Sequence, residues 1–330
     1  MPVIGITHDE AGAAGFFSPA DLDRLRAVAE VRLLGPARAP GFADCLAEVD
    51  LLLGSWGMPK LDAALLAAAP RLRAVCYAAG TVKGFATPEA YARGVVITTA
   101  MHANALPVVE WTIAVMTLAS KNAFAAMQRI RAGGRDAFWA KEPPAPGMLG
   151  IAIGVIGFGA IGRGVVERLR AFEVDCLVYD PYAAPEAIAA AGGRAAGLIE
   201  LARACHIVSL HAPDIPATAG MMSAEVFAAM RDGAVFINTA RGRLVDEAAL
   251  IDHLQRGRIS AYLDVTFPEP PVAGSPLYTL PNCWLTPHRA GSHGHELRRM
   301  GRCAVEESLA ILAGRRPRYA VTEAMLATMA

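Results

Sequence analysis

The sequence predicts an α/β protein made of two doubly wound parallel-sheet domains, on three observations. Short apolar runs alternate with segments of helical period along nearly the whole chain. A glycine-rich turn, GFGAIG at residues 157–162, sits between one such run and a helical stretch. At 330 residues the chain is longer than one ordinary core organises and suits two domains.

Up to residue 99 the strand candidates are VIGIT, VRLLG, DLLLGS, RAVCYA and VVITT. Between them, Ser18-Pro19 reads as an N-cap with a first-turn proline, and Thr87-Pro88-Glu89 repeats the signal before a short helix closed by Gly94. A long amphipathic segment runs from about Asn104 to Arg131, and the loop RAGGRDAFWAKEPPAPGM separates it from the next apolar run. From residue 151 come IAIGVI, DCLVYD, HIVSLHAP, AVFINTARG, ISAYLDV and NCWLTPH, enough strands for a doubly wound sheet. A last helix is expected from about Glu296 to Ala313. If it returns to the N-terminal half, the second domain (104–295) is an insertion in the first (1–103 and 296–330).

Composition narrows the function. Thirty-one basic residues balance thirty-one acidic ones, so nothing draws the molecule to nucleic acid or an anionic membrane, and a small-molecule partner is expected. Arg315, Arg316 and Arg318 follow Gly314 at the expected helix end, where cations meet the negative end of the helix dipole. The six cysteines form no CxxC pair and read as buried thiols of a reducing compartment. MPVIGITHDE lacks a basic leader and turns acidic by residue 9, which reads as a first strand rather than an export signal. The apolar stretch ALPVVEWTIAVMTLAS, 16 residues including Glu110, falls short of the roughly 20 a membrane helix needs. A soluble, cytoplasmic protein is expected.

The glycines have separate tasks. Gly157 permits the tight turn, Gly159 lets backbone approach a pyrophosphate, and Gly162 lets helix and strand pack closely. Free amides at Ala160 and Ile161, at the helix start, then face the phosphates. The next strand ends in Asp180, whose carboxylate suits ribose hydroxyls and would repel a 2′-phosphate, so NAD is expected. Ligands of an open parallel sheet lie beyond the carboxyl ends of its strands. There the chain places Arg241, Asp264, Glu269 and, in TPHRAG, His288. Alone, His288 reads as a proton donor, a metal ligand or a strand cap; four such residues at one sheet edge weaken the last reading.

With GFGAIG and YDP, HIVSLHAPDIPATAGMMS, INTARGRLVDEAAL, LDVTFPEP and LTPHRAG in this order, residues 50 to 315 resemble the D-isomer-specific 2-hydroxyacid dehydrogenases. The resemblance implies a Rossmann NAD-binding domain inserted into a split, flavodoxin-like substrate domain. It also implies a small 2-oxo or 2-hydroxy acid as substrate and a homodimer using the helix after residue 104. By the same resemblance Arg241 holds the substrate carboxylate, His288 is the acid/base, Glu269 pairs with it, and Asp264 lies near the nicotinamide. His211, Pro213, Thr218, Thr239, Ala240 and Gly291 fall at positions of the cofactor pocket; Trp56, Ala79 and Gly80, with Arg241 and His288, fall on the substrate side. The chemistry agrees with these roles. Reducing a 2-oxo acid needs a proton for the carbonyl oxygen, which a histidine titrating near neutrality supplies. A glutamate on its other nitrogen orients the ring, and an arginine fork grips a planar carboxylate with two parallel bonds.

Two stretches depart from the family. AAGTVKGF replaces a glycine-rich loop with aspartates, so Lys83 and Trp56 leave side-chain selectivity open, and Arg289 stands where an apolar residue is common. Glu269 argues against the formate dehydrogenase branch, which has glutamine there, and no regulatory extension after residue 320 argues against the large phosphoglycerate dehydrogenases. Oxidation of phosphite keeps the same Arg, Glu and His. A reading from another class is an NAD-sensing scaffold, like the transcriptional corepressors that resemble this family, with little turnover. His293, His295 and Glu296 in HGHE lack further ligands at suitable spacing, so no metal is expected; His206 and His253 read as structural.

Overall fold

Each apolar run of the N-terminal half becomes a strand in the computed structural model, which describes residues 1–141 and 144–329. The elements there are β1 (Val3–Ile6), α1 (Glu10–Phe16), α2 (Pro19–Arg26), β2 (Glu30–Leu33), β3 (Leu51–Gly54), α3 (Ala63–Ala68), β4 (Ala74–Tyr77), α4 (Pro88–Ala92) and β5 (Val96–Thr99). The caps form as the sequence indicates: the Ser18 hydroxyl accepts from the Asp21 amide at 3.2 Å, and the Thr87 hydroxyl from the Ala90 amide at 3.3 Å.

The long amphipathic segment is two helices, α5 (Met101–Ala119) and α6 (Ala123–Gly133), rather than one. Asn122 adopts a left-handed conformation, φ 51°, between them, and the chain bends by 62° there. Asparagine tolerates that conformation better than most residues, which is why a periodic pattern continues across the break. Among the described residues no single helix is long and apolar enough to cross a membrane. Glu142 and Pro143 of the expected loop lie outside the described residues.

There follow β6 (Ala152–Ile156), α7 (Ala160–Leu169), β7 (Asp175–Tyr179), α8 (Pro185–Ala191), β8 (Arg194–Ala195), α9 (Leu198–Ala204), β9 (Ile207–Leu210), α10 (Ala224–Ala229), β10 (Ala234–Asn238), α11 (Glu247–Gln255), β11 (Ile259–Leu263) and β12 (Cys283–Leu285). The chain closes with α12 (Leu297–Leu312) and β13 (Ala320–Val321). It divides into two units, Met1–Ala105 with Ser292–Met329, and Leu106–Gly291, where sequence reading set the divisions at 103/104 and 295/296.

The first unit has a six-stranded sheet in the order β13-β5-β4-β3-β1-β2, parallel except for the antiparallel edge strand β13. One face buries Leu52, Val75 and Ile97; the other buries Ile4, Ile6, Leu51, Leu53 and Cys76 beneath Met300, Ala304 and Val305 of α12. The second unit has seven parallel strands in the order β12-β11-β10-β9-β6-β7-β8. The chain winds outward from β6 in both directions, and the switch point lies between β6 and β9. Both of its faces are covered, one by Leu201, Val226, Phe227, Leu250 and Leu254, the other by Val109, Met116, Val165 and Val166, as an all-parallel sheet requires.

Candidate active site

At the β6–α7 turn the glycines serve unlike purposes. Gly157 has φ +92°, and a side chain there would meet the Ala212 nitrogen at 2.7 Å and the His211 carbonyl oxygen at 2.8 Å. A Cβ on Gly162 would overlap the Gly157 carbonyl, so the helix start lies directly on the strand end. Gly159 differs: it caps α7 with φ −72°, and nothing lies within 4 Å of where its Cβ would be. The chain's own packing demands the outer two glycines, while the middle one keeps open the space before the amides of Ala160 and Ile161. That cradle fits a pyrophosphate.

Asp180, just beyond β7, already holds this loop. Its Oδ2 accepts from the Phe158 amide at 2.7 Å and its Oδ1 from the Tyr182 amide at 2.9 Å. A carboxylate has about four acceptor positions, so two remain for ribose hydroxyls. Next to the switch point, His211 is buried between the Ser209 hydroxyl at 2.9 Å and the Thr239 hydroxyl at 3.5 Å. Burial pushes its pKa down to about 3, so it stands neutral in the folded chain. The Thr218 hydroxyl donates to the Pro213 and Ile215 carbonyls and closes the loop after β9.

Beyond β10, Thr239 and Ala240 are buried and Arg241 is half-buried. Arg241 donates one N–H to the Ala240 carbonyl at 2.6 Å, which leaves most of its fork uncommitted among the described residues. Gly242 has no room for a side chain, because a Cβ would overlap the Thr266 carbonyl beyond β11. The turns after β10 and β11 are thereby in backbone contact. Beyond β12, Nδ1 of His288 lies 2.8 Å from Oε1 of Glu269, with both side chains partly open to solvent. His288 has φ 53°, the left-handed region. That pairing leaves Nε2 as the ring nitrogen with no partner among the described residues. Asp264 is buried under this turn: its carboxylate accepts from the Thr286 hydroxyl and the Arg289 amide, each at 2.6 Å, and from the Ala290 amide at 2.9 Å. Gly291 follows at the edge of this bonded stretch.

The first unit has its own polar edge beyond β1, β3 and β4. Trp56 is exposed, with its ring edge against Phe16 at 5.9 Å between centroids. His8 stacks on the same Phe16 at 5.1 Å, and its Nε2 lies 2.9 Å from the Ser55 hydroxyl. Ala79 is buried, its carbonyl taken by the Thr99 hydroxyl and the Ala100 amide, and Gly80 has open space around its α-carbon. His8 and Ser55, just beyond β1 and β3, are strand-end residues that no sequence motif singles out. Arg289 and Lys83 are exposed. His293 and Glu296 form a capping box, the His293 amide donating to Glu296 at 2.9 Å, and no metal-ligating group of three occurs among the described residues.

Residues 113–290 match the sequence model of the D-isomer specific 2-hydroxyacid dehydrogenase, NAD binding domain. The chain belongs to this family. Residues of the NAD-binding domain thus include the glycine loop, Asp180 and the three strand-end turns. Among the family's members, D-3-phosphoglycerate dehydrogenase of Mycobacterium tuberculosis is 34% identical over 301 residues, 90% of this chain and 56% of that protein. The chain thus spans about half the length of the phosphoglycerate dehydrogenases it matches. Glyoxylate/hydroxypyruvate reductase B of Escherichia fergusonii is 32% identical over 293 residues, 87% of this chain and 89% of that one. The NADPH-dependent glyoxylate/hydroxypyruvate reductase of Sinorhizobium meliloti, solved with citrate, is 27% identical with a TM-score of 0.76, each chain covered to 98%.

Proposed function

We propose that this chain reduces a small 2-oxo acid to the D-2-hydroxy acid with NADH, and catalyses the reverse oxidation with NAD. The observation that carries the reading is the 2.8 Å bond between His288 Nδ1 and Glu269 Oε1 in a unit whose sheet also presents Arg241 at a neighbouring strand end. The glycine turn after β6 and Asp180 would hold NADH, which would supply the hydride for the carbonyl carbon. Protonated His288 delivers the Nε2 proton to the carbonyl oxygen, and Glu269, accepting from Nδ1–H, keeps the ring aimed and its charge balanced. In oxidation the neutral ring takes the hydroxyl proton instead. Arg241 holds the substrate carboxylate with two parallel bonds and so fixes which carbonyl face meets the hydride. Asp180 favours NAD over its 2′-phosphorylated form.

The test is loss of reduced-nicotinamide absorbance with a panel of glyoxylate, hydroxypyruvate and branched and aromatic 2-oxo acids, with 3-phosphoglycerate in the oxidative direction. Glyoxylate, hydroxypyruvate and 3-phosphoglycerate lead because relatives are named for them. Turnover lost in His288→Gln with NADH binding intact supports the reading; turnover unchanged in that variant overturns it.

The same reading makes the protein a cytoplasmic homodimer. Support for the dimer comes from Trp111, Leu118, Phe124, Tyr262 and Trp284, which line an apolar hollow of about 200 Å³ in the second unit, with Leu118, Phe138 and Trp139 exposed on the same stretch of chain. Support for a reducing compartment comes from six free cysteines, of which burial pushes the Cys76 thiol up to about 11 and those of Cys176, Cys205 and Cys283 up to about 12.

A further inference from the structure

Arg241 and His288 sit on separate turns, yet their action on one substrate needs a fixed separation. Two buried polar side chains at adjacent strand ends connect them. Asn238, the last residue of β10, is 1% exposed; Asp264, the first after β11, is 4% exposed. The Asn238 side chain spans the turn that carries Arg241. Its Oδ1 accepts from the Ala240 amide at 2.9 Å and its Nδ2 donates to the Arg241 carbonyl at 3.0 Å. Asp264 does the same for the turn that carries His288. Its carboxylate accepts from Thr286, Arg289 and Ala290, and its carbonyl accepts from the His288 amide at 3.0 Å. The two are joined, because the Asp264 amide donates to the Asn238 carbonyl at 2.9 Å.

Packing alone does not call for this arrangement. Asp264 is a buried carboxylate satisfied by three donors of a single turn, and that turn holds a non-glycine residue at φ 53°. Among the described residues only Asn122 shares that property. A left-handed histidine costs about 1–2 kcal/mol, which glycine would avoid. The fold keeps the imidazole at that place and the Asp264 bonds offset the strain. We propose that Asn238 and Asp264 are positioning residues, a linked pair that holds the turns of Arg241 and His288 in one frame. The inference rests on the roles given above to Arg241 and His288.

Three variants test it in the full-length protein. Asn238→Asp keeps the acceptor for the Ala240 amide and sets a carboxylate oxygen against the Arg241 carbonyl. Thr286→Val keeps shape and removes one of the bonds to Asp264; Thr286→Ser keeps the hydroxyl. Asn238→Asp is expected to raise KM for the 2-oxo acid, and the inhibition constant of oxamate, by about tenfold or more, with kcat changed less than about threefold. Thr286→Val is expected to lower kcat by about tenfold with KM little changed, and Thr286→Ser to restore it. Hydrogen exchange should quicken at residues 239–242 in the first and at 286–291 in the second. Parallel falls in kcat and active fraction without this split, or wild-type kinetics and exchange in all three, overturn the proposal. The two readings separate cleanly: a fully active His288→Gln removes the assigned chemistry, whereas an inactive His288→Gln beside wild-type Asn238→Asp and Thr286→Val removes the positioning pair alone. If no 2-oxo acid is turned over, unchanged exchange in both turns still overturns it.

Discussion

Gly159→Ala separates cofactor recognition from folding. The backbone at Gly159, φ −72° and ψ −162°, is one that alanine adopts freely, and the added methyl meets no protein atom within 4 Å. The stability cost is that of a poorer N-cap, at most about 1 kcal/mol, or a few degrees in Tm. The methyl does intrude on the helix N-terminus where a pyrophosphate would sit, because Gly159 is the N-cap immediately before Ala160 and Ile161. Displacing a phosphate from one such amide removes a charge-assisted hydrogen bond of about 1.5–3 kcal/mol, which raises the Kd for NADH about 10- to 150-fold. Calorimetric titration with NADH, beside a thermal melt, reads both quantities. Gly162→Ala is the contrast, because its methyl overlaps the Gly157 carbonyl and forces helix and strand apart, at about 1–3 kcal/mol of stability. A Gly159→Ala protein that binds NADH within twofold of wild type refutes the pyrophosphate cradle. One that loses binding and stability together refutes the separation of tasks among the glycines.

His288→Gln should lower kcat by about a hundredfold or more, as loss of a proton donor does, with the Kd for NADH nearly unchanged, and Glu269→Gln should fall between it and wild type; both are read from steady-state rates and NADH titration. Asp180→Ala should shrink the preference for NADH over NADPH, measured as the ratio of kcat/KM values, by about tenfold. His211 is neutral in the folded chain with its pKa near 3, while in the unfolded chain it titrates at about 6.5. Its contribution is therefore fully present above about pH 6.5 and is lost as pH falls towards 3, at up to about 1.4 kcal/mol per unit. From about pH 6 to about pH 5, urea melts should show wild type losing about 1 kcal/mol more than His211→Gln; equal losses would show that the ring is not held neutral.

Much of the fold and the site is legible in the sequence, for a physical reason. Parallel strands are buried on both faces, so β1, β3, β4, β6, β9 and β10 are nearly unbroken apolar runs, and the residues that end them are the ones the sheet presents. Gly157 and Arg241 announce themselves in that way, and Asp180 and His288 stand just beyond the apolar runs of β7 and β12. The two-residue strands β8 and β13 have no periodicity to detect; their pairing with β7 and β5 comes from neighbours distant in sequence. The same holds for Asn238. Within INTARG it reads as one more strand residue, and its clamp on Ala240 and Arg241 exists only once the chain turns back after β10. Asp264 was legible as a strand-end acid, but its three donors come from a turn more than twenty residues on, fixed by the β11–β12 register. His8 and Ser55 are not legible as a pair because their bond spans 47 residues of sequence.

The division of the first unit into two stretches of chain has a consequence for biosynthesis. Its sheet face of Ile4, Ile6, Leu51, Leu53 and Cys76 is covered by Met300, Ala304 and Val305 of α12, which leave the ribosome only after the whole of residues 106–291. At ordinary elongation rates that interval lasts about ten to forty seconds. During it the second unit has everything it needs to fold, while the first offers an uncovered apolar sheet face to whatever else is nearby. The nascent chain, more than the finished protein, is where a chaperone would be wanted, and weakening α12 should cost soluble yield before it costs catalytic rate.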